Sequence, residues 1–261
     1  MATAALRWPT RTAGRGEMRG PVALAALLVV LLAAACSGGS GAEEHYESAV
    51  ALSAEGRWVE AIVEYDRAIE LDADYTAAYH DRGFAHLRIG MFERAIADYD
   101  RAIELNPGDA TSFISRAFAL DEMGEHDQAI TDLTQATNLD PDNAVTYYNR
   151  ALIQHGLGNI SAAIADYNKV IELSPNDAVA YSNRGLAYAN LQNPQRAAAD
   201  YDKAIELDPS LPLAYINRAL TYIQLDNPEG AISDLEKALS LTNDPNLEAQ
   251  IEGLLDQLRS Q

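Results

Sequence analysis

Cysteine occurs once in this chain, at position 36, so no internal disulfide can form and no cluster of thiolates can hold a metal. Basic residues are scarce: 19 lysines and arginines stand against 39 aspartates and glutamates, a formal net charge of -20. Such a surface repels phosphate backbones and anionic lipid headgroups, so nucleic acid is not an expected partner. No glycine cluster precedes a lysine, which excludes a phosphate loop, and no nucleophile motif accompanies the serines. The five histidines, His45, His80, His86, His126 and His155, include no two at the spacing of a helical metal pair. The expectation from these absences is a protein without metal or cofactor, and not an enzyme.

What is present points to a packed protein. Hydrophobic residues make up 48% and charged residues 22% of 261 positions, enough for a real core in one large or two ordinary domains. The amino-terminal 35 residues differ from the rest. Met18-Arg19-Gly20 leads into the apolar run PVALAALLVVLLAAA at 21–35, followed by Cys36 and the polar stretch SGGSGA. Fifteen apolar residues fall short of the roughly 20 needed to span a bilayer as a helix. The layout is that of a secretory signal, with a charged start, an apolar stretch and small residues before the cut. Ala33-Ala34-Ala35-Cys36 resembles the bacterial lipobox, departing from it in having Ala33 where leucine is preferred, with Leu32 one place earlier. The resemblance implies that Cys36 is acylated and becomes the new amino terminus. An ordinary signal cut nearby, or an uncleaved anchor, is the other reading. Met18 would start a signal of more usual length.

From Ala42 onward the chain repeats itself. Copies align without gaps at a period of 34 residues, beginning at Ala42, Thr76, Ala110, Ala144, Ala178 and Pro212. A fixed period of this length changes the meaning of every motif inside it. Numbered within each repeat, column 8 is always alanine or glycine, from Ala49 to Ala219, and column 20 is always alanine, from Ala61 to Ala231. Column 24 is tyrosine or leucine (Tyr65, Tyr99, Leu133, Tyr167, Tyr201, Leu235), and column 30 is leucine throughout. Columns 4, 8 and 11, then 20, 24, 27 and 30, follow the spacing of one apolar helical face. Each repeat is therefore two helices whose small residues let the backbones approach. Gly56, Gly90, Gly124 and Gly158 at column 15 suit the left-handed end of the first helix, and Asn193-Pro194 and Asn227-Pro228 restart the second helix in the last two repeats.

On these columns the chain resembles the tetratricopeptide repeat family, over about residues 42 to 245. The resemblance implies an all-α fold, a right-handed α-solenoid of six helix-turn-helix repeats: 42–75, 76–109, 110–143, 144–177, 178–211 and 212–245. The first repeat departs most, with His45 at column 4 and Ala73 at the closing proline. Beyond Pro245, Leu247, Ile251, Leu254, Leu255 and Leu258 form one more apolar stripe, which reads as a capping helix over 246–261.

In this family the first helices line a concave wall, so columns 2, 5, 9 and 12 are expected to face it. Tyr46, His80 and Tyr148 at column 5, with Phe84 and Phe118 at column 9, then edge a groove for an extended peptide or a partner helix. Packing between neighbouring repeats is the alternative role for column 9. Asn149, Asn183 and Asn217 occupy column 6 in three successive repeats, where an amide can both donate to and accept from a peptide backbone. This is similar to the asparagine ladder of some peptide-binding members; a merely tolerated asparagine is the alternative. The lysine and asparagine clamp of the chaperone-binding members is absent.

Columns 7 and 23 switch together. Arg82, Arg116, Arg150, Arg184 and Arg218 are matched by Asp98, Asp132, Asp166, Asp200 and Asp234, while the first repeat has Ser48 and Glu64. Guanidinium geometry suits a carboxylate, so a ladder of ion pairs is expected within or between repeats. It also bears on the pair Asp98 and Asp100, whose residue types by themselves suggest acid–base chemistry. Two residues apart on a helix is about 200°, so the two side chains diverge, and Asp100 is expected on the solvated outer face.

The resulting expectation is an exported, lipid-anchored bacterial scaffold at the cell envelope that binds protein or peptide partners. Cys36 to Gly41 would form its membrane tether. Pilotin-like proteins, adaptors for cell-wall hydrolases and self-associating homo-oligomers are the alternatives of the same architecture.

Overall fold

The computed structural model describes residues 41–260. Cys36, the apolar run before it and the first residues of the tether lie outside the described residues. Among those described there are thirteen α-helices and no strand. First and second helices alternate: α1 Gly41–Ala54, α2 Trp58–Leu71, α3 Thr76–Arg88, α4 Phe92–Leu105, α5 Ala110–Glu122 and α6 His126–Leu139. They continue as α7 Ala144–Gly156, α8 Ile160–Leu173, α9 Ala178–Asn190, α10 Pro194–Leu207, α11 Pro212–Gln224 and α12 Pro228–Leu241, and α13 Pro245–Arg259 closes the series. The chain forms two compact units, α1–α6 ending at Leu139 and α7–α13 beginning after it.

Local signals explain the helix ends. Asp109 accepts from the amides of Thr111 and Ser112, Asn143 from Val145, and Asp177 from Val179 and Ala180, each satisfying orphan donors of a first helix. Asn193 and Asn227 do the same for Arg196 and Gly230, each with proline opening the helix. At column 15 the four glycines take φ of 77° to 81°, and Gln192 and Asp226 adopt the same left-handed turn at 55° and 57°. The turn is thus imposed by the packing of the two helices even where no glycine supplies it.

Within each unit every helix packs on the next, and α1, α3 and α5 touch in order, as do α9 and α11. The alanines at columns 8, 20 and 27 allow this. Ala61, Ala95, Ala129, Ala163, Ala197 and Ala231 are all fully buried. The large residue at column 24 fills the adjoining space. Tyr65, Tyr99, Tyr167, Tyr201, Leu133 and Leu235 are among the largest fully buried side chains, each worth roughly 1.5–3 kcal/mol of apolar burial. The fit is tight. A methyl group added at Gly83 or Gly185 would sit 2.9 Å from Cε1 of Tyr99 or Tyr201. The hydroxyls of Tyr167 and Tyr201 are buried without a protein partner, which offsets part of that gain. In the carboxy-terminal unit, α13 lays Ile251 and Leu255 against Leu235 and Ala238, closing the core.

Candidate binding surface

An arginine ladder ties the first helix to the second in each of the last five repeats. Arg116 donates through Nε and Nη2 to the two carboxylate oxygens of Asp132, both at 2.7 Å. Arg150 meets Asp166 at 2.8 and 2.7 Å, Arg184 meets Asp200 at the same two distances, and Arg218 meets Asp234 at 2.7 Å twice. Arg82 meets Asp98 through Nη2 at 2.6 Å and Nε at 3.1 Å. All five aspartates are buried. The hydrogen bond to its aspartate, set against the opposing effect of burial, holds each of Arg116 and Arg218 above its ordinary pKa.

The ladder has a second rail that the co-switching columns did not show. Nη1 of Arg82, Arg116 and Arg218 reaches back to Asp66, Asp100 and Asp202, each at 2.6 Å, and that of Arg184 reaches Asn168 at 2.7 Å. These acceptors sit at column 25 of the preceding repeat. Asp100 is therefore not simply a solvated outer residue. It remains half-exposed but is an acceptor between repeats, while Tyr99 beside it is in the core. The carboxylates of Asp98 and Asp100 are engaged by different arginines and do not converge on one point. In the first repeat Glu64, lacking an arginine at column 7, accepts from Arg67 and lies 2.7 Å from His45 Nδ1.

The residues expected to edge a groove divide by unit. In the amino-terminal unit they form a hydrogen-bonded chain across α1, α3 and α5. Tyr46 OH donates to Asp81 at 2.7 Å, His80 Nδ1 lies 3.1 Å from the same carboxylate, and His80 Nε2 lies 3.3 Å from Ser115 Oγ. Burial, aided by the bond to Asp81, raises the Tyr46 hydroxyl well above the ordinary tyrosine range. Phe84 is exposed and stands edge-on to Trp58 at 5.8 Å, with the Arg88 guanidinium 4.7 Å over the indole. Phe118 is half-buried.

In the carboxy-terminal unit the same columns are neutral. Asn183 Nδ2 donates to Tyr148 OH at 2.9 Å, joining α9 to α7, and the Tyr148 ring is edge-on to Tyr167 at 6.2 Å. One rung of the expected amide ladder is thus engaged within the protein. The side chains of Asn149 and Asn217 are half-buried and bond no other side chain among the described residues. Further along the same face Asn190 Nδ2 donates to His155 Nε2 at 2.8 Å, and burial holds that imidazole below its ordinary pKa.

Among the described residues no three histidine, cysteine, aspartate or glutamate side chains gather to hold a metal ion, and no helix is long and apolar enough to cross a membrane. His86, unremarked as a site from sequence, is buried with Nδ1 2.9 Å from Asp98 Oδ2, adding a second partner to that carboxylate beside Arg82. Its position at column 11, on the core side of the first helix, was the available signal.

Comparison with known proteins agrees with this arrangement. The family description "Tetratricopeptide repeat" matches residues 76–109 and 178–211, and a second profile of that description matches 98–131 and 200–233. "TPR repeat" matches 51–90, 119–158 and 155–192. Among curated proteins none matches the sequence. Among solved structures, a crystal structure of MamA is 25% identical with a TM-score of 0.60, covering 62% of this chain and 94% of that one. MamA from Desulfovibrio magneticus RS-1 is 21% identical over 64% of this chain and 94% of its own, with a TM-score of 0.61. YrrB, described as a TPR protein with an unusual peptide-binding site, is 24% identical with a TM-score of 0.62, covering 72% of this chain and 97% of its own. Column pattern, helix pairing and these matches agree, and the chain belongs to the tetratricopeptide repeat family.

Proposed function

We propose that the protein is a non-catalytic scaffold that binds protein or peptide partners on the face built by its first helices, exported and held at the cell envelope by a lipid on Cys36. The observation that carries the binding reading is the recurrence of asparagine at column 6 on α7, α9 and α11, on a face with exposed Val145, Val179 and Leu213. Amides beside exposed apolar side chains can follow an extended backbone while burying alternate side chains. The description of YrrB as a peptide-binding protein supports the reading by analogy of fold alone.

The envelope location is supported by the apolar run at 21–35 and by the sole cysteine standing directly after three alanines. Two experiments test the parts separately. Metabolic labelling with a fatty acid should mark the wild-type chain and not Cys36→Ser; equal labelling of both sinks the anchor. Proximity cross-linking in envelope preparations should recover partners that fall away when Asn149, Asn183 and Asn217 are changed together to alanine. Unchanged recovery would refute the amide face as the binding element, and light scattering of the purified chain separates hetero-partner binding from self-association.

A further inference from the structure

We propose that the first-helix face of the carboxy-terminal unit selects an extended peptide segment of uncharged, mainly apolar side chains; this rests on the reading of that face as a peptide groove. In a chain of net charge -20, each of α7, α9 and α11 contains one charged residue, the arginine at column 7. Each of those arginines is turned into a bidentate pair with a buried aspartate and is withdrawn from the face. What remains is a neutral strip. Column 2 carries Val145, Val179 and Leu213, exposed to 61%, 44% and 55%, and column 6 carries Asn149, Asn183 and Asn217. Column 9 is leucine in all three helices.

The amino-terminal unit shows that neutrality is a property of this unit and not of the repeat. At columns 2 and 6 it has Glu43, Glu47 and Asp81, and Arg88, Asp121 and Glu122 close its first helices. The electrostatic consequence is direct. A ligand carboxylate or ammonium brought onto α7, α9 and α11 would lose water and find no free opposite charge on those helices; the carboxylate of Asp177, at the start of α9, already accepts from the amides of Val179 and Ala180. A carboxylate would in addition approach a strongly acidic protein. The amides of Asn149 and Asn217 offer a donor and an acceptor to a backbone, and neither is specific for a side chain. Selection therefore acts through exclusion of charge, and binding should depend little on salt.

The test is selection of a displayed library of random peptides, about twelve residues long, on the detergent-solubilised full chain. Enriched peptides should carry a central stretch free of Asp, Glu, Lys and Arg, with affinity unchanged between low and high salt. Val179→Asp should weaken them by about tenfold or more. That variant should fold normally, because an acidic side chain in the first turn of α9 is favourable to the helix; circular dichroism checks this. Ala77→Asp, the same change on the exposed face of α3, should leave affinity unaltered. Enriched peptides with central charges, or peptides indifferent to Val179→Asp, would overturn this inference while leaving peptide binding intact. No enrichment of any peptide would overturn the inference together with the peptide-groove reading on which it rests.

Discussion

The guanidinium of Arg116 holds Asp132 of its own repeat with two hydrogen bonds at 2.7 Å and Asp100 of the preceding repeat with one at 2.6 Å. One side chain thus joins three helices, α4, α5 and α6. Substitution to methionine would leave the buried Asp132 carboxylate uncompensated. Allowing for the partial exposure of the arginine, a loss of about 2–4 kcal/mol is expected in urea unfolding. Lysine should not rescue it, because a single ammonium cannot reproduce the fork. Full rescue by lysine would mean that charge alone, and not the bidentate geometry, holds the repeats together.

Gly185 packs directly against the Tyr201 ring. A Cβ at Gly185 would lie 2.9 Å from Cε1 of that ring. Gly185→Ala should cost roughly 1–3 kcal/mol, and pairing it with Tyr201→Leu should cost less than the sum of the two single changes. Alanine at column 8 occurs with leucine at column 24 as Ala117 with Leu133, and with tyrosine as Ala49 with Tyr65 and Ala151 with Tyr167, so the loss measures how far the Tyr201 ring must shift to make the same room. Additive losses in the double mutant would show that the two positions do not meet.

Tyr201→Phe alone should be neutral or stabilising by about 1 kcal/mol, since its hydroxyl is buried without a protein partner. A loss of stability comparable to a broken hydrogen bond would contradict that placement.

Gln192 holds a left-handed turn at φ 55° without being glycine. Gln192→Gly should raise the melting temperature, corresponding to a gain of about 0.5–1 kcal/mol, because it removes the Cβ penalty of that conformation. Asp226→Gly should gain less, since aspartate tolerates the turn better. No gain at either position would place the strain elsewhere.

His155 makes a prediction for pH. Burial lowers its pKa in the fold, and its Nε2 accepts from Asn190, so the folded state favours the neutral ring. The unfolded chain binds the proton first as pH falls. The stability contribution is whole above about pH 6.5 and is lost progressively below it. His155→Gln should therefore show a smaller drop in melting temperature from about pH 7 to 5 than the wild type. Identical slopes would show that the ring is already free to charge in the fold.

Much of the helical plan was legible because the same choice recurs in column after column. Alanine at column 20 and a large residue at column 24 specify a close helix crossing wherever they appear, and Asp109, Asn143 and Asp177 announce the helices they cap. The partner of Asp100 was not legible. Column 25 is variable (Asp66, Asp100, Thr134, Asn168, Asp202, Glu236), so no residue type marks it, and the bond that Asp100 makes spans one repeat to the next. The fate of Asn183 was hidden for the same reason. Whether its amide faces solvent or Tyr148 depends on how α9 sits on α7.

Periodicity by itself determined the helix pairs and their register, because these depend on residue type at intervals of 3.6 and 34 positions. Tertiary structure alone decided which of several chemically equivalent donors and acceptors meet. It sent Nη1 of Arg116 to Asp100 while Nε and Nη2 went to Asp132, because a guanidinium has five donors and only the packing of three helices sets where each one points.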